Sequence, residues 1–215
     1  MRNKNLIPVR NLLRTLDVNS LRNPEVVANL VRCFGIVQWG PPVFGDEEQF
    51  KNADSSIVGI YQTPNQIAKA LVYLSDYEIS SYCEIGVFHG GNFLFTSEYL
   101  RRFNPAISCV AIDPTNFLNP EIAALIEEEN YLRFFPITSG DISWSKLSLC
   151  MIDGDHTAEW VRKDWENIGQ HADICMIHDI QEWSCPAVGD FWKELKEQEP
   201  ERKTAEFLEH TSAMP

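Results

Sequence analysis

Nowhere in the 215 residues do roughly eighteen apolar residues run together, so a hydrophobic membrane-spanning helix is not expected. Arg2, Lys4, Arg10 and Arg14 make the start of the chain basic, but no apolar run of signal-peptide length follows them. No CxxC pair is present, which argues against a thiolate zinc site. Internal repeats and low-complexity tracts are missing too. Cationic charge is scarce: 18 Lys and Arg stand against 31 Asp and Glu, a net charge of −13, with no compact basic cluster. Such a surface repels a phosphate backbone or an acidic membrane, so neither nucleic acid nor membrane is an expected partner. The expectation is a cytoplasmic protein that acts on a small molecule and is able to self-associate.

Six cysteines are present, and Cys83, Cys109, Cys150 and Cys175 each lie in a separate apolar run. That placement predicts small buried hydrophobes, reduced and unbridged, rather than a disulfide framework. The length suits one domain with a sizeable core. The reading is a helical extension or lid over residues 1–53, followed by a single domain over 54–215.

From about Tyr82, short apolar runs alternate with amphipathic stretches, the pattern of a mostly parallel sheet with helices on both faces. Strands are predicted over Tyr82–Val87, Ser108–Asp113, Leu132–Ile137, Leu147–Asp153 and Ile174–Asp179. Helices are predicted over Asn92–Phe103, Pro120–Glu128, Ala158–Ile168 and Pro186–Glu197; in the last, Val188, Phe191, Trp192 and Leu195 form one apolar stripe. Thr63-Pro64-Asn65-Gln66 reads as a capping box that opens a further helix, carried on by Ile67, Ala70, Leu71 and Leu74. Upstream lie a helical stretch near Pro24–Phe34 and a segment with Gly40-Pro41-Pro42 and Gly45-Asp46-Glu47-Glu48, which suits either a lid or an interface arm.

The chemistry gathers at the predicted strand ends. Glu84-Ile85-Gly86-Val87-Phe88-His89-Gly90-Gly91 is a strand running into a glycine turn that opens a helix, where free N–H groups and close backbone approach favour a ligand. Phe88 occupies the place of the second glycine in a dinucleotide fingerprint, and its bulk disfavours a pyrophosphate. Glu84 suits a ligand that carries an ammonium group. The alternative for this turn is a tight strand-to-helix connection without a ligand. Asp113 at the end of the second strand can accept ribose hydroxyls. Thr138-Ser139-Gly140-Asp141 either contacts an adenine edge or forms an Asx-capped turn. Asp153, Asp155 and His156 follow the fourth strand, and His178 and Asp179 follow the fifth. Five ionisable groups at neighbouring strand ends need a divalent ion, mutual hydrogen bonding or helix-capping roles to be tolerated.

At these residues the chain resembles the class I methyltransferases, and more closely the family that includes macrocin O-methyltransferase and the cephalosporin-hydroxylase-like proteins. The resemblance rests on Glu84-Ile85-Gly86 with Gly90-Gly91, on Ile112-Asp113, on Ile152-Asp153-Gly154-Asp155-His156 with Lys163-Asp164, and on His178-Asp179-Ile180. It spans roughly Gln62 to Leu195. It implies a Rossmann-like α/β fold and S-adenosylmethionine as cofactor, with Glu84, Gly86 and Gly90 along the methionine part, Asp113 on the ribose and Asp141 near the adenine. It also implies a magnesium or manganese ion on Asp153, His178 and Asp179, with His156 or Asp155 as base. The sequence departs from the family at His178, where metal-using relatives tend to carry a carboxylate. It departs again at the end of the sheet: Thr204–Glu209 reads as the first strand of a closing hairpin whose second strand would lie beyond Pro215.

These readings predict O-methylation of a hydroxylated small molecule, an in-line displacement that depends on alignment and on a nucleophilic acceptor oxygen. Two other classes stay open. One is a protein that binds the cofactor without turnover; the other is a metal-dependent enzyme of another type built on Asp153, His178 and Asp179.

Overall fold

The computed structural model describes residues 5–36, 59–144, 146–182 and 184–208. The glycine, proline and acidic segment around Gly40 to Glu48 lies outside these, as do Glu209 and His210.

Five strands form one all-parallel sheet: β1 (Ser81–Ile85), β2 (Ser108–Ile112), β3 (Leu132–Phe135), β4 (Leu147–Ile152) and β5 (Ala172–Ile177), in the order β3-β2-β1-β4-β5. The chain builds outward from β1 through β2 to β3, then crosses to β4 on the other side. The two directions diverge between β1 and β4, which makes a crevice at their C-terminal ends, the place where open α/β sheets hold ligands. The α/β expectation is met, with strand ends one to two residues shorter than predicted. Dihedral angles explain β1: Gly86 at φ 81° and Phe88 at φ 45° turn the chain out of the sheet immediately after Ile85. At β5, Asp179 at φ 58° does the same two residues beyond Ile177.

Both faces of the sheet are covered. On one face lie α3 (Pro64–Leu74), α4 (Gly91–Arg101) and α5 (Pro120–Glu128), where Leu71, Phe93 and Ile122 join Tyr82, Cys109 and Leu149 in one core. On the other, α6 (Ala158–Asn167) and α7 (Pro186–Gln198) contribute Val161, Trp165, Val188 and Phe191 against Cys83, Ile85, Cys150 and Ile152. Successive strand residues point to opposite faces, so Tyr82 and Glu84 share the first face. Cys83, Cys109 and Cys150 are buried and free as expected, whereas Cys175 on the outer strand is half-buried. Thr63 and Pro64 take their predicted places at the start of α3, but the Thr63 side chain makes no capping bond, so the predicted capping box does not form.

Residues 5–34 are built into the same core. In α1 (Leu6–Thr15), Leu6, Val9 and Leu13 fall on one face and are buried; α2 (Pro24–Phe34) starts at Asn23, whose side chain accepts from the Glu25 N–H, and buries Val27, Val31 and Phe34. Phe34 meets Phe95 of α4 edge to face, with centroids 5.7 Å apart. A charge cluster fixes α1 as well: Arg10 and Arg14 both pair with Glu98 of α4 and with Glu129, and Tyr131 donates to Glu98 at 2.6 Å. Burial alone would raise the Glu98 pKa, but bonds from Arg14, Tyr131 and Arg10 outweigh it and hold the carboxyl below its ordinary value.

With β3, strand β5 is one of the two edges of the sheet. Residues 204–208 form no ladder with it, against the expectation of a closing strand. Glu206 instead accepts from Trp192 Nε1 and Lys196 Nζ of α7, each at 2.7 Å, which draws the segment toward the helix. A cleft of about 670 Å³ remains, lined by β5, residues 202–208, Tyr73 and Tyr77, and reaching Gln62, His178 and Asp179 at the strand ends. No helix among the described residues is long and apolar enough to cross a membrane.

Candidate active site

The C-terminal ends of β1, β2, β4 and β5 meet at the crevice. Its first wall is the glycine turn. At Gly86 a Cβ would overlap the backbone of Asp153 and Gly154, so only glycine lets the ends of β1 and β4 come together. At Gly91 a Cβ would overlap the Gly59 carbonyl, because the segment before α3 crosses directly over the turn. Tyr61 follows it, edge-on to Phe88, while Phe88 stacks on His89 with centroids 3.9 Å apart. These contacts account for several of the turn's unusual residues through packing of the protein on itself.

Glu84 lies beneath this turn, 1% exposed. Tyr82 Oη donates to its carboxylate, as does Asn92 Nδ2 at 3.1 Å from the start of α4. Burial pushes the Glu84 pKa up to about 8, opposed by the Tyr82 bond and reinforced by the nearby Asp153 charge. The other amide atom of Asn92, its buried Oδ1, has no hydrogen-bond partner among the described residues. Asn92 thus turns its Nδ2 to the Glu84 carboxyl and keeps Oδ1 as an acceptor for a further donor.

Asp113, at the end of β2, accepts from the Phe88 N–H at 3.1 Å and the Thr115 N–H at 3.0 Å, tying the glycine turn to the next strand. Burial raises its pKa against these bonds. With the Thr115, Phe88 and Val87 N–H groups all acting on it, the carboxylate keeps acceptor capacity for one further donor. Asp141 is placed differently: it is exposed, accepts from the Thr138 N–H at 2.9 Å and from Thr138 Oγ1 at 2.6 Å, and closes a capping box over a short turn. The Thr138 bonds lower its pKa.

The second wall is a quartet of two carboxylates and two imidazoles. His178 Nδ1 lies 3.0 Å from Asp153 Oδ1 and 3.0 Å from Asp179 Oδ1; His156 Nε2 lies 2.9 Å from Asp179 Oδ2 and 3.8 Å from Asp153 Oδ1. The parallel sheet brings together residues separated in sequence by a whole helix. Burial alone would depress the His156 pKa, but Asp153 and Asp179 outweigh it and lift the value to about 10; His178 is raised for the same reasons. Burial would raise the Asp179 pKa, yet the two histidines hold it well below the carboxylate range. The quartet thus sets two imidazoles against two carboxylates at the ends of β4 and β5. Asp155, the remaining acidic residue of the Asp-Gly-Asp-His run, turns outward, exposed, and accepts from the Thr157 N–H at 2.8 Å at the head of α6.

Three further participants were given no role from the sequence, although Asp164 lies in the Lys163-Asp164 pair of the resemblance. Gln62 donates from Nε2 to Asp153, and its buried Oε1 has no partner among the described residues. Asp164 of α6 is buried, accepts from Ser139 Oγ at 2.6 Å, and lies against Gly154, so it supports the loop after β4; burial pushes its pKa up to about 6. Cys185, at the N-cap of α7, has its Sγ 4.0 Å from Asp179 Oδ2. The cysteine pattern pointed only to strand residues, and Gln62 reads as a residue ahead of a helix cap.

Known proteins were compared with this chain. No family model and no curated protein matches it. Among solved structures it is similar to a caffeoyl-CoA O-methyltransferase-like protein from Staphylococcus aureus, with 14% identity, 71% of this chain and 82% of that one covered, and a TM-score of 0.49. It is also similar to the SAH-bound methyltransferase PaMTH1 from Podospora anserina, with 13% identity, coverage of 90% and 79%, and a TM-score of 0.48. At that identity, activity has to be argued from the site's own residues.

Proposed function

We propose that this protein is an S-adenosylmethionine-dependent methyltransferase whose acceptor is a hydroxylated small molecule. The observation that carries the reading is that the glycine turn and the quartet share a wall: the Gly86 backbone packs directly on Asp153 and Gly154. A donor held by the turn would therefore lie beside the groups that handle the acceptor.

The residues fit the cofactor. Glu84 and the unsatisfied Asn92 Oδ1 would receive the ammonium of its methionine part, with Gly86 and Gly90 along the chain, and Asp113 would take a ribose hydroxyl through its remaining acceptor capacity. Asp141, already engaged with Thr138, would border the adenine by position only. When bound, the cofactor supplies an electrophilic methyl group. The protein's part is to align the acceptor oxygen and remove its proton.

Asp153, His178 and Asp179 would orient that oxygen from the cleft, which the Gln62 amide also borders. His156 is the candidate base, but beside two carboxylates it holds its proton up to about pH 10. It becomes a base at neutral pH only when another cation offsets Asp153 and Asp179. Magnesium or manganese on Asp153, His178 and Asp179 would serve, and these three groups do offer ligand atoms close together.

The test is calorimetric titration of the full chain with S-adenosylmethionine and S-adenosylhomocysteine, repeated on Asp113→Asn. Micromolar binding by the wild type, weakened at least about tenfold in the variant, is expected from the loss of charge-assisted bonds. No heat of binding to either ligand overturns the proposal. Binding without methyl transfer to any catechol, phenol or sugar hydroxyl would favour a binding protein without turnover.

A further inference from the structure

The quartet does not stop at oxygen and nitrogen donors. Two groups of side chains here could each surround an ion: Asp153, His178 and Asp179, and a second set of His156, Asp179 and Cys185, whose ligand atoms all lie within 4.8 Å of one another. Asp179 belongs to both. Cys185 is delivered from outside the sheet, at the N-cap of α7.

A second observation concerns the imidazoles. His156 Nε2 and His178 Nδ1 are buried atoms close to carboxylate oxygens, yet neither forms a hydrogen bond of acceptable geometry. Each of these nitrogens is therefore left with bonding capacity that the protein itself does not satisfy. The donor atoms are close enough for small side-chain shifts to close a shell. In a tetrahedral zinc shell, with bonds of about 2.0–2.3 Å, neighbouring donor atoms stand roughly 3.3–3.6 Å apart. Here His156 Nε2 to Asp179 Oδ2 is 2.9 Å and Cys185 Sγ to Asp179 Oδ2 is 4.0 Å, so binding would draw the first pair apart and the second together by about half an ångström.

We propose that His156, Asp179 and Cys185 form a site for a borderline transition-metal dication, with zinc as the type case, instead of the magnesium that carboxylates alone would favour. Magnesium prefers an octahedral shell of oxygens and does not select imidazole or thiolate; zinc and cobalt take all three donor types present. Three protein ligands would leave a fourth position open, and Asp179 also lines the cleft. There a metal-bound water or acceptor hydroxyl would lose its proton at neutral pH. The site shares His156 and Asp179 with the proposed methyl-transfer centre, and a metal on His156 would take over that residue's part as base; the test below contains no methyl donor, so the two readings fail separately.

The experiment is titration of the full-length apoprotein with cobalt(II), followed by absorption. One equivalent should bind, giving visible ligand-field bands of a four-coordinate ion and a near-ultraviolet band from thiolate-to-cobalt charge transfer. Cys185→Ser should lose the near-ultraviolet band and keep visible absorption. His156→Ala should weaken zinc binding in equilibrium dialysis by about 100-fold or more, on the scale known for damaged ligand shells. Zinc should displace cobalt, and a large excess of magnesium should not. Circular dichroism of both variants checks that the fold is kept. The proposal is overturned by a cobalt complex without the charge-transfer band, by a Cys185→Ser spectrum equal to the wild type, or by displacement of cobalt with magnesium.

Discussion

Replacing Glu84 by glutamine removes one ionisable proton from the buried end of β1 and little else. The glutamine oxygen can still accept from Tyr82 Oη and Asn92 Nδ2, so packing and bonding beneath the glycine turn are kept. In the wild type this carboxyl has an ordinary pKa of 4.5 when unfolded and about 8 when folded, chiefly because burial penalises the charge. Across that interval the native state holds a proton that the unfolded chain has released. Stability from this group is therefore full below pH 4.5 and is lost as pH rises toward about 8. The shift corresponds to on the order of 5 kcal/mol, a large part of the stability of a single domain. Urea unfolding at about pH 5 and about pH 8 measures it: the wild type should lose on the order of 4 kcal/mol more than Glu84→Gln across those three units. Every other titrating group is common to both proteins and cancels in the difference. Parallel pH dependences for the two proteins would refute the argument and mean that Glu84 is ionised in the folded state.

Two further outcomes follow from packing. Arg10→Met leaves Glu98, 1% exposed, with Arg14 alone, and should cost about 3 kcal/mol, read as a lowered midpoint in thermal or urea unfolding; an unchanged midpoint would show that the cluster adds nothing. A thiol reagent should label exposed Cys33 within seconds and leave Cys83, Cys109 and Cys150 unmodified in the native protein, since burial also pushes the Cys83 thiol pKa well above its ordinary value and that of Cys109 up to about 12; rapid modification of all six would contradict the core described above.

Much of the fold was legible in residue order. Five apolar runs separated by amphipathic stretches specify five parallel strands because a strand buried on both faces must be apolar throughout, and a parallel crossover needs a helix-sized connection. Glu84, Gly86, Asp113, Asp153, His178 and Asp179 could be placed at one edge of the sheet because all parallel strands end on the same side. Sequence also marked the start of α3 at Pro64, since proline at the first helical position fixes the backbone angle locally.

Tertiary structure decided what depends on distance rather than order. Asp155 and His156 are neighbours in sequence, yet only the imidazole turns into the quartet, because the Asp155 carboxylate is taken by the Thr157 N–H. The meeting of Cys185 with Asp179 needs the path of the chain between β5 and α7, and that of Gln62 with Asp153 needs the segment before α3 to cross the glycine turn. No periodicity records either path. The protonation of His156 is likewise invisible in the sequence, because its pKa depends on two carboxylates within 4 Å and on burial, and Coulomb interactions of that size depend on separations that only the folded chain sets.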